Sequence, residues 1–453
     1  MSAGIFAGDD IRDNRAELER KVAQTLELAK AKGGTAASVS LSLDQGLSVS
    51  VRQGEVETLE FQRDRGLGVT VYHGQSKGHA SSGDLSNSAL AEAVEAALSI
   101  AKYTAADPHA GLADADLMAT DFADFDLYHP WDVSTEQAIE LALEVEQAAI
   151  DVDSRITNSD GGSVYTGRGL RVFGNSHGFV ASASGTNHSI SAAVIAEDAD
   201  GSMQRDYWFD SKRNAANMDA ASQVGRLAGE RTIARLGARQ LGTMSSPVVY
   251  AAPVARGLIG HFMGAIQGGA IYRKSSFMLD KVGQQVFSDQ IQIAENPHLV
   301  GGNSSSSFDG EGVATRAQSF VIDGVLQKYT LGSYSARQLG LKTTANSGGV
   351  RNLTVNSTAG DLASLLATMG TGLLVTELMG QGINSVTGDY SRGASGFWVE
   401  NGVIAYPVEE ITIAGNLSRM YQSVIAVGSD VDRRGNIACG SIMLESMSIA
   451  GAE

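Results

Sequence analysis

Five residues, Gly174-Asn175-Ser176-His177-Gly178, carry the G-x-S-x-G spacing of serine hydrolases, in which a strained strand-to-helix turn exposes the serine oxygen. Here strand-like residues 170–173 precede the motif and strand-like residues 179–183 follow it, so the expectation is a hairpin turn rather than a nucleophile at Ser176. His73 and His79 flank a glycine-containing tip, and His177 and His188 fall in a second β region. Neither pair has an acidic or thiolate partner at metal-ligand spacing, and turn histidines are the plainer reading. The acidic run Asp107, Asp114, Asp116, Asp121, Asp124 and Asp126 lacks the glycine and terminal glutamate of a calcium loop, which leaves a solvated connection. Gly66-Leu67-Gly68 has no third glycine at dinucleotide spacing, and there is no P-loop. Gly301-Gly302-Asn303 followed by the serine run Ser304 to Ser307 could cradle an anion through backbone N–H groups, although low-complexity flexibility commonly produces such a run. Cys439 stands alone in Asn436-Ile437-Ala438-Cys439-Gly440-Ser441 and reads as a small buried hydrophobe. His261 reads as a packed core histidine.

The elements that must position these residues are legible from periodicity. Leu18, Val22, Leu26 and Ala29 form one stripe of a helix over 14–32, with Asp13 or Asn14 as its cap and Gly33-Gly34 as its stop. Then the period becomes two: Val39, Leu41 and Leu43 alternate with serines, Leu47, Val49 and Val51 repeat the pattern, and a third run covers 68–73. This is a β-meander with one polar face. Helices follow over 86–103, over 134–151 with a Ser134/Gln137 capping box, and over 219–236, with strands between 162 and 198. Past a polar stretch at 237–246 come a short strand at 248–252, a helix over 254–267 and a mostly β remainder, interrupted by helices near 361–369 and 416–424. Asp323-Gly324 and Asn401-Gly402 are two-residue hairpin turns, because both central positions of a type I′ turn need positive φ. Helices and strands are segregated, so the expected class is α+β, with an N-terminal domain over 1–240 that sets helices on an antiparallel meander and a β-rich C-terminal domain over 241–453.

Composition narrows the function classes. The chain has 34 Lys and Arg against 51 Asp and Glu, a formal net charge of −17, and 43% hydrophobic residues, enough to bury cores. Such a surface repels phosphate, and Arg433-Arg434 is the densest short basic run, so no direct nucleic-acid contact is expected. One cysteine excludes an internal disulfide, cysteine-rich zinc ribbons and thiolate-held iron–sulfur clusters. No apolar run approaches the roughly 20 residues of a membrane helix, and Met1 to Asp10 turns acidic before an apolar signal core develops; a cytoplasmic location is expected. The 53 glycines against 6 prolines point to tight turns and close backbone approaches in sheet-rich structure.

Several longer motifs carry a family resemblance. Ser307-Phe308-Asp309-Gly310-Glu311-Gly312-Val313-Ala314-Thr315-Arg316, the hairpin Asp323-Gly324-Val325-Leu326, Ser333-Tyr334-Ser335-Ala336-Arg337-Gln338-Leu339-Gly340, Thr387-Gly388-Asp389-Tyr390-Ser391-Arg392-Gly393 and Gly396-Phe397-Trp398-Val399-Glu400-Asn401-Gly402 resemble the TldD/PmbA family. Glu410-Ile411-Thr412-Ile413-Ala414-Gly415-Asn416 and Cys439-Gly440-Ser441 resemble its PmbA branch, also called TldE. The resemblance implies one subunit of an intracellular metalloprotease built from two homologous subunits, TldD and TldE, acting on small or unfolded peptides in microcin maturation and antitoxin degradation. An older family label, modulator of DNA gyrase, implies no DNA contact.

The resemblance also implies where the metal would be. The TldD branch holds it on a His-Glu-x-x-x-His helix with a further cysteine ligand. Aligned on His261, this chain has Arg256 in place of the first histidine and Gly257 in place of the glutamate, while Cys439 matches the thiolate. A cation and a glycine supply neither a ligand nor a general base. His261 and Cys439 are then vestigial candidates, this chain holds no metal, and a zinc belongs to the TldD-like partner. The chain would contribute chamber and substrate binding, with glycine-rich strand edges able to pair with an extended peptide. The alternatives are an autonomous metallopeptidase using His261 and Cys439, and a non-enzymatic peptide-binding or regulatory protein of a toxin–antitoxin or gyrase-inhibitor system. A homodimer is plausible when the partner is absent.

Overall fold

The structure, a computed structural model, describes residues 8–451. Met1 to Ala7, on which the reading of no export signal partly rests, lie outside the described residues. The first half forms six antiparallel strands, β1 (Ala36–Arg52), β2 (Glu55–His73), β3 (Ser76–Ser82), β4 (Ile156–Asn175), β5 (Val180–Glu197) and β6 (Met203–Lys212), in the order β3-β2-β1-β4-β5-β6. Four helices, α1 (Arg15–Ala31), α2 (Asn87–Tyr103), α3 (Thr135–Ile150) and α4 (Ala221–Ala234), cover one face in two pairs. The two-residue period explains this: Val39, Leu41, Leu47, Val49 and Val51 are buried, while the intervening serines face the other way. α1 and α2 pack over Val39, Leu41, Val69 and Val172, and α3 and α4 pack over Leu47, Val49, Val164 and Val194. A side chain at Gly225 would strike the Val145 carbonyl, so α4 lies against α3 only because glycine stands there.

Details differ from the periodicity where burial gives no signal. β2 is far longer than the 68–73 run, because its first eleven residues are all exposed and show no apolar alternation. β3 and β6 extend the meander on both sides. Asn14 stands at the cap position of α1, as expected, but its side chain makes no cap bond; Asp10, before the 3-10 turn that leads into α1, accepts from the Arg12 N–H at 2.9 Å. The Ser134/Gln137 capping box is present.

The second half contains β7 (Met244–Tyr250), α5 (Ala252–Ala265), α6 (Gly268–Tyr272), β8 (Ile293–Glu295), β9 (Gln318–Ile322), β10 (Val325–Leu326), α7 (Ser333–Leu339), β11 (Leu353–Val355), α8 (Leu362–Met369), β12 (Gly372–Met379), β13 (Asp389–Glu400), β14 (Val403–Asn416), α9 (Leu417–Gln422), β15 (Val424–Val427), β16 (Ile437–Ala438) and β17 (Ile442–Ala450). They make a five-stranded sheet, β10-β9-β8-β11-β16, and a six-stranded one, β14-β13-β12-β7-β17-β15. Both expected hairpin turns are present: φ is 49° and 73° at Asp323 and Gly324, and 51° and 77° at Asn401 and Gly402. Phe262 of α5 meets Phe287 edge-on with centroids 4.9 Å apart, and Phe287 meets Tyr421 at 4.6 Å. The class is α+β. Among the described residues no helix is long and apolar enough to cross a membrane.

Candidate functional site

α5 is the element on which the site is built. Its first N–H, at Ala252, donates to the Ser441 hydroxyl at 3.0 Å, and that hydroxyl donates to Asp430 at 2.6 Å. The helix start is thereby tied to the C-terminal segment carrying Asp430, Arg434 and Cys439. One side of α5 is packed through Leu258, Ile259 and Phe262, and the other presents Arg256, Gly257, Gly260 and Gly264. A Cβ at any of these three glycines would meet no atom within 4 Å.

Pro253, Val254, Arg256 and Gly257 line one wall of a cleft of about 290 Å³ between the two halves of the chain. β6 supplies the second wall with Asp206, Tyr207, Trp208 and Phe209, and β12 and β13 close it with Glu377 and Arg392. The β6 wall is fastened by arginines. Arg434 lies 4.1 Å from the Trp208 ring centroid and 4.4 Å from that of Phe209, donates to the Phe209 carbonyl at 2.9 Å, and pairs with Asp432 at 2.8 Å. Arg231 pairs with Asp206 at 3.1 Å, and Arg235 with Glu377 at 2.5 Å. Arg392 donates to the Leu378 and Met379 carbonyls. Arg256 has no carboxylate at ion-pair distance among the described residues. Four arginines (231, 256, 392, 434) against two carboxylates (206, 377) leave this cleft cationic in a chain of net charge −17.

The two ligand candidates named from the sequence stand in different surroundings. His261, half-buried, meets Tyr390 edge-on at 6.2 Å; burial, then the Arg392 charge, lowers its pKa. Cys439 is fully buried; burial, then Asp430, pushes its thiol up to about 12, and it contacts the Gly440 carbonyl at 3.2 Å. A metal needs deprotonated thiolate and neutral imidazole donors, usually three protein ligands in a catalytic zinc site. Arg256 and Gly257 add none, and among the described residues no three His, Cys, Asp or Glu side chains gather as a metal site. The residues present do not fit the metal.

The other motifs resolve into structure. Ser176 sits in the β4–β5 turn, its hydroxyl accepting from the Ala37 N–H at 3.0 Å. His188 is buried, its Nε2–H donating to the His129 carbonyl at 2.8 Å while Nδ1 pairs with Thr166 at 2.9 Å; burial lowers its pKa. His177 Nε2–H donates to the Ala113 carbonyl at 3.0 Å, His79 pairs with Thr70 at 3.1 Å, and His73 lies 3.5 Å from the Gly33 carbonyl. The acidic connection is largely solvated, as expected, with Asp114, Asp116, Asp121, Asp124 and Asp126 exposed; it is also tied to the second half, where Asp107 accepts from the Tyr334 hydroxyl at 2.7 Å and Asp114 pairs with Arg337 at 2.9 Å. The 301–307 run is no anion cradle. The Gly301 and Gly302 N–H groups donate to the Phe125 and Leu299 carbonyls, and the Gly302 and Asn303 carbonyls accept from Arg213. Gly66 and Gly68 lie inside β2.

Three family models for PmbA/TldA metallopeptidases match in order: domain 1 over residues 37–101, the central domain over 128–236 and the C-terminal domain over 243–451. The chain is 51% identical over 451 residues to the metalloprotease PmbA of Escherichia coli O157:H7, covering 100% of both. It belongs to the PmbA branch of the PmbA/TldD metallopeptidase family. A PmbA homolog from Haemophilus influenzae is 48% identical, covering 97% of this chain and 98% of that one. Among solved structures, a protein from Bacteroides thetaiotaomicron described as a modulator of DNA gyrase matches with a TM-score of 0.91 at 27% identity, over 96% of this chain and 99% of that chain. TldE from Thermococcus kodakarensis shares the fold, with a TM-score of 0.82 at 18% identity over 95% of this chain and 100% of its own. The boundary between the first two family domains falls inside one sheet, since β1 pairs with β4. Sequence reasoning missed the β6 and β12 walls of the cleft. The Arg433-Arg434 run was their one visible signal, though it reads there only as a weak basic cluster.

Proposed function

We propose that this PmbA-family chain is the peptide-holding subunit of a two-subunit metallopeptidase, with the catalytic metal, a zinc, in a TldD-like homologous partner. The observation that carries this is the α5 cleft. At the positions where the resemblance would put a histidine and a glutamate it has a cation and a glycine, and the cleft has an excess of arginine. Such a cleft suits the carboxylate and acidic side chains of a small or unfolded peptide, since guanidinium groups hold carboxylates through paired N–H donors. Strand-edge capture fits less well here. Arg231 and Arg434 occupy the Tyr207 and Phe209 carbonyls of β6, and Arg392 those of Leu378 and Met379. Arg256 therefore positions substrate and takes no part in bond cleavage.

The test is a peptidase assay of the purified chain alone, of the TldD-like subunit alone, and of the two mixed, with wild type and Arg256→Ala. The reading expects cleavage only in the mixture, and for Arg256→Ala a KM raised roughly tenfold with kcat nearly unchanged, as for lost uniform binding. Cleavage by this chain alone, or a kcat collapse with KM intact, would overturn it.

A further inference from the structure

The ladder of the first-half sheet has an unfilled place beside β5. β6 pairs with β5 only from His188 onward. Just before that, the acidic connection takes over: the Thr186 N–H donates to the Leu127 carbonyl at 2.9 Å, and the Thr186 carbonyl accepts from Arg213 at 3.0 Å. Alternate residues of an antiparallel strand turn both backbone groups to the same side, so Ser184 and Ser182 face the way Thr186 does. Among the described residues, their N–H and C=O groups meet no donor or acceptor on that side. Both residues are half-buried, a setting in which backbone groups normally have partners. A cavity of about 320 Å³ lies there instead, with the acidic connection from Phe122 to Tyr128 as its other wall.

The other groups around the cavity say what would fill it. α1 runs antiparallel to β5: Val22 lies against Gly174, the β4 partner of Val180, and Glu19 accepts from the Ser182 hydroxyl at 2.8 Å. Arg15, one turn earlier, therefore stands beside Ser184. It lines the cavity, is exposed, and has no carboxylate at ion-pair distance among the described residues. The two acids nearby are engaged, Asp126 with His129 at 3.2 Å and Asp124 by the Asp126 N–H at 2.9 Å. The acidic connection adds an apolar surface in Phe122, 50% exposed, with its ring 6.1 Å from that of Phe179 and 6.2 Å from that of Phe308. A strand laid parallel to β5 places one residue opposite Ala183, its N–H donating to the Ser182 carbonyl and its carbonyl accepting from the Ser184 N–H. The next residue ends at Arg15, where the Leu127–Thr186 bond closes the edge. We propose that the β5 edge at Ser182 and Ser184 binds the carboxyl-terminal end of an extended peptide, with its carboxylate on Arg15 and an apolar side chain against Phe122. The inference shares with the proposed function only the peptide as ligand, since no residue lines both this cavity and the α5 cleft.

The test is calorimetric titration of the full chain carrying Arg256→Ala, which takes the α5 cleft's contact out of the reading. The probe is acetyl-Ala-Leu-Leu, as the free acid and as the C-terminal amide. The acid is expected to bind, and the amide roughly tenfold more weakly, because the charge-assisted contact is lost. Adding Arg15→Gln, a change at an exposed side chain, should weaken the acid roughly tenfold and leave the amide unchanged, so that the difference between the two probes vanishes. N-methylation of the middle leucine removes the N–H that pairs with the Ser182 carbonyl and should weaken binding at least as much, and Phe122→Ala should weaken it several-fold. No binding at about 1 mM acid, equal affinity for acid and amide, an acid–amide difference that survives Arg15→Gln, or an N-methyl probe that binds as well as its parent would each overturn the proposal. None of these readings needs a second subunit or peptide cleavage, so they stand or fall apart from the peptidase assay.

Discussion

Ser441→Ala tests the joint on which the α5 cleft depends. The Ser441 side chain is fully buried and its hydroxyl serves two partners, accepting from the Ala252 N–H at 3.0 Å and donating to Asp430 at 2.6 Å. Loss of an N-terminal cap costs about 1 kcal/mol. Loss of a hydrogen bond to a charged group costs roughly 1.5–3 kcal/mol. The two effects share one oxygen and are not additive in full, so the expected destabilisation is about 2–3 kcal/mol. Asp361→Ala is the comparison: it caps α8 through the Ser364 N–H at 3.0 Å at an exposed site, and about 1 kcal/mol or less is expected. Urea unfolding followed by far-UV circular dichroism gives the stability difference, and hydrogen exchange gives its location. Faster exchange in the first turn of α5, near Arg256, is expected for Ser441→Ala and not for Asp361→Ala. A Ser441→Ala chain within about 0.5 kcal/mol of wild type, with α5 exchange unchanged, would refute the view that this hydroxyl fixes the helix.

Three further outcomes follow from the same geometry. Arg434→Ala removes the contacts over Trp208 and Phe209 and leaves Asp432 buried without its partner, so a loss of about 3 kcal/mol and a changed Trp208 fluorescence are expected. Cys439, buried and pushed up to about 12, should resist a thiol reagent at pH 8 in the folded chain and react at once in denaturant. Asp309 is raised to about 6, first by burial and against three backbone N–H donors from Glu311, Val313 and Ser347. Its folded pKa lies above the ordinary value of 3.8, so the folded state holds the proton more tightly. That stabilisation is complete below about pH 3.8 and is lost as pH rises through about 6. The Asp309 contribution thus falls with pH by up to about 1.4 kcal/mol per unit between these values, and pH-dependent unfolding of Asp309→Asn should lack that slope.

The fold was legible wherever burial imposes a period. Val39 to Val51 announced β1, the Ser134/Gln137 pair announced α3, and Asp323-Gly324 and Asn401-Gly402 announced their turns, because only a few residue types tolerate those conformations. It was not legible where a strand is exposed on both faces, as in residues 55–65, since nothing there needs to alternate. The candidate site was half visible. Arg256, Gly257 and His261 stand on one helix and could be read from the family spacing, but the cleft facing them is assembled from Trp208, Glu377, Arg392 and Arg434, contributed by four separate segments. No local pattern ties an edge strand to an arginine more than two hundred residues later; the Arg434 bond to the Phe209 carbonyl exists only once the two halves meet. The run at 301–307 shows the converse, a motif whose local chemistry suggested a ligand and whose N–H groups and carbonyls are engaged by the protein itself.

The most direct measurement of the central claim is the zinc content of the purified chain, by mass spectrometry after dialysis against excess zinc, beside the TldD-like subunit treated identically. The account predicts a full equivalent on the partner and well under a tenth of an equivalent on this chain, because His261 and Cys439 are too few donors and Arg256 and Gly257 add none. A stoichiometric zinc on this chain, lost with Cys439→Ser or His261→Ala, would contradict it.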